Sequence, residues 1–425
     1  MKNNLTIAVI GLGYVGLPLA NAFARKYNVI GFDKNIEKIN MYKSGIDITN
    51  EIGDHKIKKS KIIFSADEKD LVNANVYIIA VPTPIDSNNI PYISDTVEAT
   101  KMIGNVLKRG DIVVYESTFY PGMTEEICIP LLEKFSDMNQ KGNFYVGYSP
   151  ERINPGDKEH KLDNITKLVS GIDKKSTEYV YNIYKKILKR KPFIVSSIKV
   201  AESAKVLENT QRDVNIALMN DMSRFLKAMD IDTNEVLKAC STKWNFVNFR
   251  PGLVGGHCIG IDPYYLLYQS NKLGVNLNVV RQCRETNEEM KDYIYNNFLE
   301  RVNKSSKVIN KSIIIYGITF KENVPDYRNS KIVEIAKKLE ENNFRVYVED
   351  AHINIENLNK EYNTNFLLAK DCKEKVQGII IASPHNEYKN IKESELIRKL
   401  ENRDCPLFDL NNVIKKDIDS KVWGI

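Results

Sequence analysis

No CxxC pair and no regular cysteine spacing occurs in the chain, and none of its five histidines belongs to an HExxH. Those absences exclude a zinc ribbon and a helical zinc-hydrolase motif, and no resident metal is expected. The six cysteines, Cys128, Cys240, Cys258, Cys283, Cys372 and Cys405, lie too irregularly for a disulfide framework. They fit the reduced thiols of a cytoplasmic protein. Apolar runs are short: none reaches the ~18 uninterrupted residues of a membrane span, so no membrane insertion is expected. The N-terminal MKNN-LTIAVIGLGYVGLPLANAFA has the outline of a signal peptide, but it scans better as a strand, a glycine turn and a helix. Charge of one sign is also scarce. The formal balance is +6 with no arginine-rich arm or polybasic block. Nothing therefore points to nucleic acid, while a small anionic ligand is compatible.

At 425 residues, with 43% apolar and 27% charged side chains, the chain exceeds one ordinary core. Its first half alternates β-rich runs (TIAVIG, NVIGFD, KIIFS, VYIIAV, DIVVYES, FYVGYSP) with amphipathic stretches, the pattern of a parallel sheet covered on both faces. From Ile198 some thirty residues lack glycine and proline and predict one long helix. Helix-like sequence continues from NEVLKAC to RETNEEMKDYIYNNFLERV. A new α/β unit opens with SIIIYGITF and runs through RVYVED, VQGIIIAS and PLFDLNN. The expected architecture is α/β: two Rossmann-like doubly wound domains, 1–195 and 306–425, joined by a helical domain, 196–305.

GLGYVG, Gly11 to Gly16, comes directly after the first strand. Gly11 permits the tight turn, Gly13 lets backbone approach a pyrophosphate, and Gly16 lets helix pack on strand. The helix N-terminus presents N–H groups to phosphates. The next strand ends in Asp33, near the distance at which an acid binds the adenosine ribose of NAD. AVPTPID (80–86) and YESTFYPGMT (115–124) also come after strands, which places them at the ligand-binding end of the sheet. There Thr83, Ser117 and Thr118 are hydroxyl donors, although proline and threonine also suit ordinary turns. YSPERINPG (148–156) presents Glu151 from a proline-bounded loop, where a surface glutamate is the alternative.

Lys205 and Asn209 stand four apart on the long helix and share a face, either as a solvated polar patch or as an oxyanion site. Cys258 lies in GGHCIGID, beside His257 and four residues before Asp262. A buried structural thiol is the ordinary role for a lone cysteine. The glycines and polar neighbours point instead to a nucleophile, whose thiolate a nearby cation such as Lys205 would favour.

GLGYVG, AVPTP, ESTFYPG, YSPER, AESAKVLENT, GGHCIGIDPYYL and GITFKENVPDYRNSK occur in this order across nearly the whole chain. Together they resemble the UDP-glucose/GDP-mannose dehydrogenase family. The resemblance implies an NAD domain, a helical centre that forms a homodimer, and a nucleotide-sugar domain. It implies oxidation of a sugar C6 alcohol to a carboxylate with two NAD. The catalytic residues it implies are Cys258 as nucleophile, Lys205 and Asn209 at the oxyanion, and Glu151, Asp262 and Thr118 for protons and water. The implied cofactor set is Gly11, Gly13, Tyr14, Val15, Gly16, Asp33, Lys38, Pro82, Thr83, Thr118 and Arg328. The implied substrate set is Glu151, Arg152, Lys205, Asn209, Gly255 and Lys321, with Arg250 from a neighbouring subunit.

Gly260 and Ile261 stand where UDP-glucose members usually carry proline and lysine, and PERI stands for their PEFL. The pattern is more similar to the branch acting on UDP-N-acetylhexosamines, with UDP-GlcNAc or UDP-GalNAc as substrate and UDP-ManNAc or UDP-glucose as alternatives. The product would be a uronic acid donor for surface polysaccharide. A two-electron hydroxyacid dehydrogenase would not need Cys258 or a third domain. A silent NAD-binding regulator would not need Cys258, Lys205 and Glu151 together.

Overall fold

A computed structural model describes residues 5–152, 162, 164–305, 311–415, 418 and 422–425 of the chain. The chain divides into two compact units, Met1–Glu208 with Tyr264–Asn276, and Asn209–Pro263 with Leu277–Ile425.

In the first unit, β1 (Thr6–Ile10), β2 (Asn28–Phe32), β3 (Ile62–Ser65), β4 (Val76–Ile79), β5 (Ile112–Tyr115) and β6 (Tyr145–Tyr148) form where the β-rich runs predict them. β7 (Leu168–Gly171) and β8 (Phe193–Ile194) extend the sheet. The strand order is β3-β2-β1-β4-β5-β6-β7-β8, doubly wound with its reversal between β1 and β4. β4 and β5 are buried along their whole length, as strands covered on both faces must be, which is why they read as unbroken apolar runs.

One pair departs from the expected parallel order: β7 runs antiparallel to β6, with Gly147 opposite Gly171. A Cβ on Gly147 would lie 2.4 Å from Val180, and one on Gly171 2.4 Å from the Thr177 nitrogen. The missing side chains let the helix Lys174–Lys185 sit directly on these strands. β7 is four residues long and β8 two, too short for alternation to reveal them.

The long helix forms as predicted, over Ile198–Ala228. Beyond it, helix also forms over Thr233–Cys240, Asp262–Lys272 and Asn278–Ser305, as expected. The expectation fails over residues 241–261, which make turns and irregular backbone. Pro251 and the glycines at 252, 255, 256 and 260 explain why: proline lacks the donor and glycine carries the largest entropy cost in a helix.

In the second unit, β9 (Ser312–Tyr316), β10 (Arg345–Glu349), β11 (Leu367–Leu368), β12 (Gly378–Ile381), β13 (Leu407–Asp409) and β14 (Val422–Trp423) form an all-parallel sheet. Its order, β11-β10-β9-β12-β13-β14, repeats the doubly wound arrangement. The helix Lys331–Glu341 packs its apolar face, including Ile335, Ala336 and Leu339, on the core built around Ile313 and Ile315.

Candidate active site

The glycine turn after β1 is built around close backbone approaches. Gly11 has φ +87°, and a Cβ there would sit 2.7 Å from the Ala80 carbonyl oxygen. A Cβ on Gly16 would meet the Gly11 carbonyl oxygen at 1.8 Å. Gly13 differs, because nothing lies within 4 Å of its Cβ position. The first and third glycines therefore answer to the protein, and the second leaves open space beside the helix Gly16–Phe23, whose N-cap is Val15 with Tyr14 just before it. Asp33, buried at the end of β2, accepts from Leu12 N–H at 3.0 Å and from Lys38 Nζ at 2.8 Å through Oδ2. Its Oδ1 accepts from Asn35 N–H at 3.0 Å. Oδ1 thus retains a lone pair for a ribose hydroxyl. The residues present fit a dinucleotide, with the open Gly13 position for the pyrophosphate and Asp33 for the ribose.

The two proline-containing loops are tied together. Ser117 Oγ donates to the Val81 carbonyl at 2.7 Å, and Tyr265 OH to the carbonyls of Thr83 and Pro84 at 2.9 and 3.2 Å. Pro82 is exposed and Thr83 half-buried, while Thr118 is half-buried in the segment after β5. That segment is anchored by Glu202 of the long helix, which accepts from Gly122 N–H at 2.6 Å and from the Thr124 N–H and hydroxyl at 3.0 and 2.6 Å. Burial raises the Glu202 carboxyl above its ordinary value and these donors lower it, with burial the larger effect.

Glu151 stands just past β6. Its Oε1 accepts from Arg152 N–H at 2.6 Å, and its Oε2 lies 3.5 Å from Lys167 Nζ. The Arg152 guanidinium is forked onto Glu208 of the long helix at 2.6 and 3.1 Å, with a further bond to the Thr166 carbonyl at 2.8 Å. Glu151 is thereby fixed in direction from both sides. The remainder of the motif, 153–156, lies outside the described residues. Lys205, three residues before Glu208 on the same helix, is half-buried.

In the second unit, Asn209 Nδ2 donates to Asp262 Oδ2 at 2.6 Å, and both side chains are buried. Asp262 opens the helix Asp262–Lys272, and its N–H bonds the Cys258 carbonyl at 2.9 Å. Cys258 is exposed, whereas Cys128 and Cys405 are buried, so the core-filling role of a lone cysteine does not describe it. The glycine pair before it is explained by neighbouring protein. A Cβ on Gly255 would meet the Asn329 carbonyl oxygen at 2.7 Å, and one on Gly256, at φ +77°, the Phe320 ring at 2.6 Å.

His257 Nδ1 lies 3.8 Å from Asp326 Oδ2, and Arg328 is forked onto the same carboxylate at 2.8 and 2.9 Å. Burial, then the Arg328 guanidinium, pushes the His257 imidazole below its ordinary value against the pull of Asp326. A cavity of about 410 Å³ is lined by Gly255, Phe320, Lys321, Lys331, Ser383 and Asn411 among others. Glu322 also stands at its wall, and the Lys331 ammonium is held by Glu288 at 2.6 Å and Glu334 at 3.0 Å. Arg250 is exposed on the irregular segment.

Sequence reasoning passed over Glu116, Lys167, Glu202, Asp326 and the buried pair of Arg284 with Asp213, whose Nη1–Oδ1 distance is 2.6 Å. The legible signal for one of them was a glutamate closing the apolar strand run DIVVYES.

Known proteins share the same three-part order. The NAD binding domain of the UDP-glucose/GDP-mannose dehydrogenase family matches residues 5–188, its central domain 199–289 and its UDP binding domain 314–416. The chain is 45% identical over 416 residues to the UDP-N-acetyl-D-glucosamine 6-dehydrogenase of Pseudomonas aeruginosa, covering 97% of this chain and 98% of that protein. It is 44% identical over 427 residues to Protein CapL of Staphylococcus aureus, covering 99% and 100%. Among solved structures, the UDP-D-ManNAc dehydrogenase of Pyrococcus horikoshii superimposes with a TM-score of 0.89 at 29% identity, covering 99% of both chains. By these matches the chain belongs to the UDP-glucose/GDP-mannose dehydrogenase family, as an NAD-dependent enzyme.

Proposed function

We propose that the chain oxidises the C6 alcohol of UDP-N-acetylglucosamine to the uronic acid. The observation that carries the reading is the exposed Cys258 at the entry to a helix whose first residue, Asp262, is bonded to Asn209. The Cys258 carbonyl accepts from the Asp262 N–H at 2.9 Å, which ties the cysteine to the start of that helix. Relatives named for UDP-N-acetyl-D-glucosamine 6-dehydrogenation, 42–45% identical over nearly the full chain, support the sugar.

NAD, when bound, accepts hydride, and four-electron oxidation requires two NAD per sugar. Gly13, Asp33 and the loop from Pro82 to Thr83 are the residues that hold it. The first oxidation yields an aldehyde, which has no alkoxide oxygen on its carbon to expel a second hydride. Cys258 removes that obstacle: its thiolate adds to the aldehyde carbon and gives a thiohemiacetal, whose oxygen can drive out hydride. Loss of hydride from that carbon leaves a thioester on Cys258, and water then releases the carboxylate and regenerates the thiol. Lys205 and Asn209 stabilise the oxyanion, Glu151 and Asp262 manage the protons, and Thr118 orients the water. Lys321 binds the nucleotide side, with Arg152 and Gly255 at the substrate.

A homodimer fits Leu218, Met222, Phe225 and Met229, exposed at helical spacing along and just past the long helix, and Arg250 would then serve the neighbouring subunit's substrate. No described helix is long and apolar enough to cross a membrane. A cytoplasmic enzyme supplying a uronic acid donor for surface polysaccharide is the reading these features support.

The test is the NADH formed per UDP-GlcNAc consumed, for the wild type and Cys258→Ala, with the 4-epimer and 2-epimer in parallel. Two NADH per sugar, and no acid from the variant, is the expected result. One NADH per sugar, unchanged by the substitution, would return Cys258 to a structural role.

A further inference from the structure

Behind Glu151 lies a charged cluster that the proposed chemistry leaves without a task. Glu116, one residue past β5, and Lys167, one residue before β7, are each 1% exposed. Lys167 Nζ donates to Glu116 Oε2 at 2.5 Å and to the Pro150 carbonyl at 3.1 Å, and stands 3.5 Å from Glu151 Oε2. Tyr184, from the helix Lys174–Lys185, donates its hydroxyl to Glu116 Oε1 and turns its ring toward the Lys167 ammonium, 5.4 Å from the centroid. The Glu151 N–H points at the Glu116 carbonyl at 3.4 Å.

One ammonium therefore stands between two carboxylates. Among the described residues nearby, Tyr148 donates to the Ser117 carbonyl and Ser149 to the Leu168 carbonyl. The Arg152 guanidinium is engaged by Glu208.

An arrangement of this kind is weak as a stabilising device, because desolvating the charges consumes most of what their attraction returns. It is strong as a directional one. The ammonium is held at a set height by Glu116 and the Pro150 carbonyl, and Glu151 is the next residue along the chain. We infer that Glu116 and Lys167 are positioning residues for Glu151, fixing the direction of its carboxylate through the shared ammonium. The inference rests on the proton-handling role proposed for Glu151. Burial pushes the Glu116 carboxyl up to about 7, with the Lys167 ammonium pulling it down and the Glu151 carboxylate pushing it up again, so the cluster changes charge near neutrality.

Glu116→Gln tests this, since the amide keeps the shape and removes the charge. With the anchor of the Lys167 ammonium weakened, the Glu151 carboxylate loses its fixed direction. At neutral pH kcat should fall roughly tenfold, with KM for NAD and sugar nucleotide within about twofold of wild type. Tyr184→Phe, which withdraws one hydrogen bond from Glu116, should lower kcat in the same way by less. Near-UV circular dichroism and NAD binding check that both variants are folded.

Wild-type kcat in E116Q, with only a changed melting temperature, would overturn the inference and leave the cluster structural. Glu151→Gln, measured in the same series, separates the two levels. If E151Q is fully active, the Glu151 role itself fails; if E151Q is impaired while E116Q is not, only the positioning inference fails.

Discussion

Two alanine substitutions in one glycine turn should have opposite consequences. At Gly11 the backbone has φ +87° and the new Cβ would meet the Ala80 carbonyl oxygen at 2.7 Å. Holding alanine in the left-handed region costs about 1–2 kcal/mol. Crowding a backbone atom that cannot swing away adds roughly 1–3 kcal/mol. Gly11→Ala should therefore lose about 2–5 kcal/mol of stability, lowering the melting temperature of a domain this size by roughly 5–15 °C before any ligand is added. At Gly13 the φ is not positive and nothing lies within 4 Å of the Cβ position, so Gly13→Ala should melt within about 2 °C of wild type. Its Cβ would instead occupy the space left for a pyrophosphate. NAD affinity should fall by at least about tenfold, or roughly 1.4 kcal/mol. Thermal melts without ligand, followed by NAD titration of each folded variant, measure both effects. A Gly13→Ala protein that binds NAD normally, or one as unstable as Gly11→Ala, would refute the assignment of the first glycine to the fold and the second to the cofactor.

Glu116 also makes stability depend on pH. Its folded value of about 7 lies above the ordinary 4.5, so between those values the native state holds a proton that the unfolded chain has released. Stability then falls as pH rises through this window, by about 3 kcal/mol in all. Urea unfolding at pH 5 and pH 8 should show that loss in the wild type relative to E116Q; parallel pH dependence in the two would contradict it. Arg284→Met strands the buried Asp213 carboxylate and should cost about 3–5 kcal/mol, whereas Arg284→Met combined with Asp213→Leu should recover much of it. Equal losses in the single and double variants, by urea unfolding, would show that the ion pair is not the source.

Local chemistry made most of the architecture legible. Strands covered on both faces are unbroken apolar runs, and a helix of 31 residues without proline or glycine declares itself, so β1 to β6 and Ile198–Ala228 needed no tertiary information. The motif order along the chain carried the family resemblance for the same reason. β7, β8, β11 and β14, two to four residues each, are too short to carry a period, and exist because a neighbouring strand completes their hydrogen bonds.

The glycine pair before Cys258 was visible as a need for close approach. That the approaching groups are Asn329 and Phe320 depends on a chain segment more than sixty residues away. Asn209 and Asp262, 53 residues apart, became one hydrogen-bonded pair only when the fold brought them together. Glu116 and Lys167, 51 residues apart, are ordinary charged residues in the sequence. Burial turns them into a coupled pair, because only the folded sheet and the Lys174–Lys185 helix remove the water that would otherwise screen one from the other.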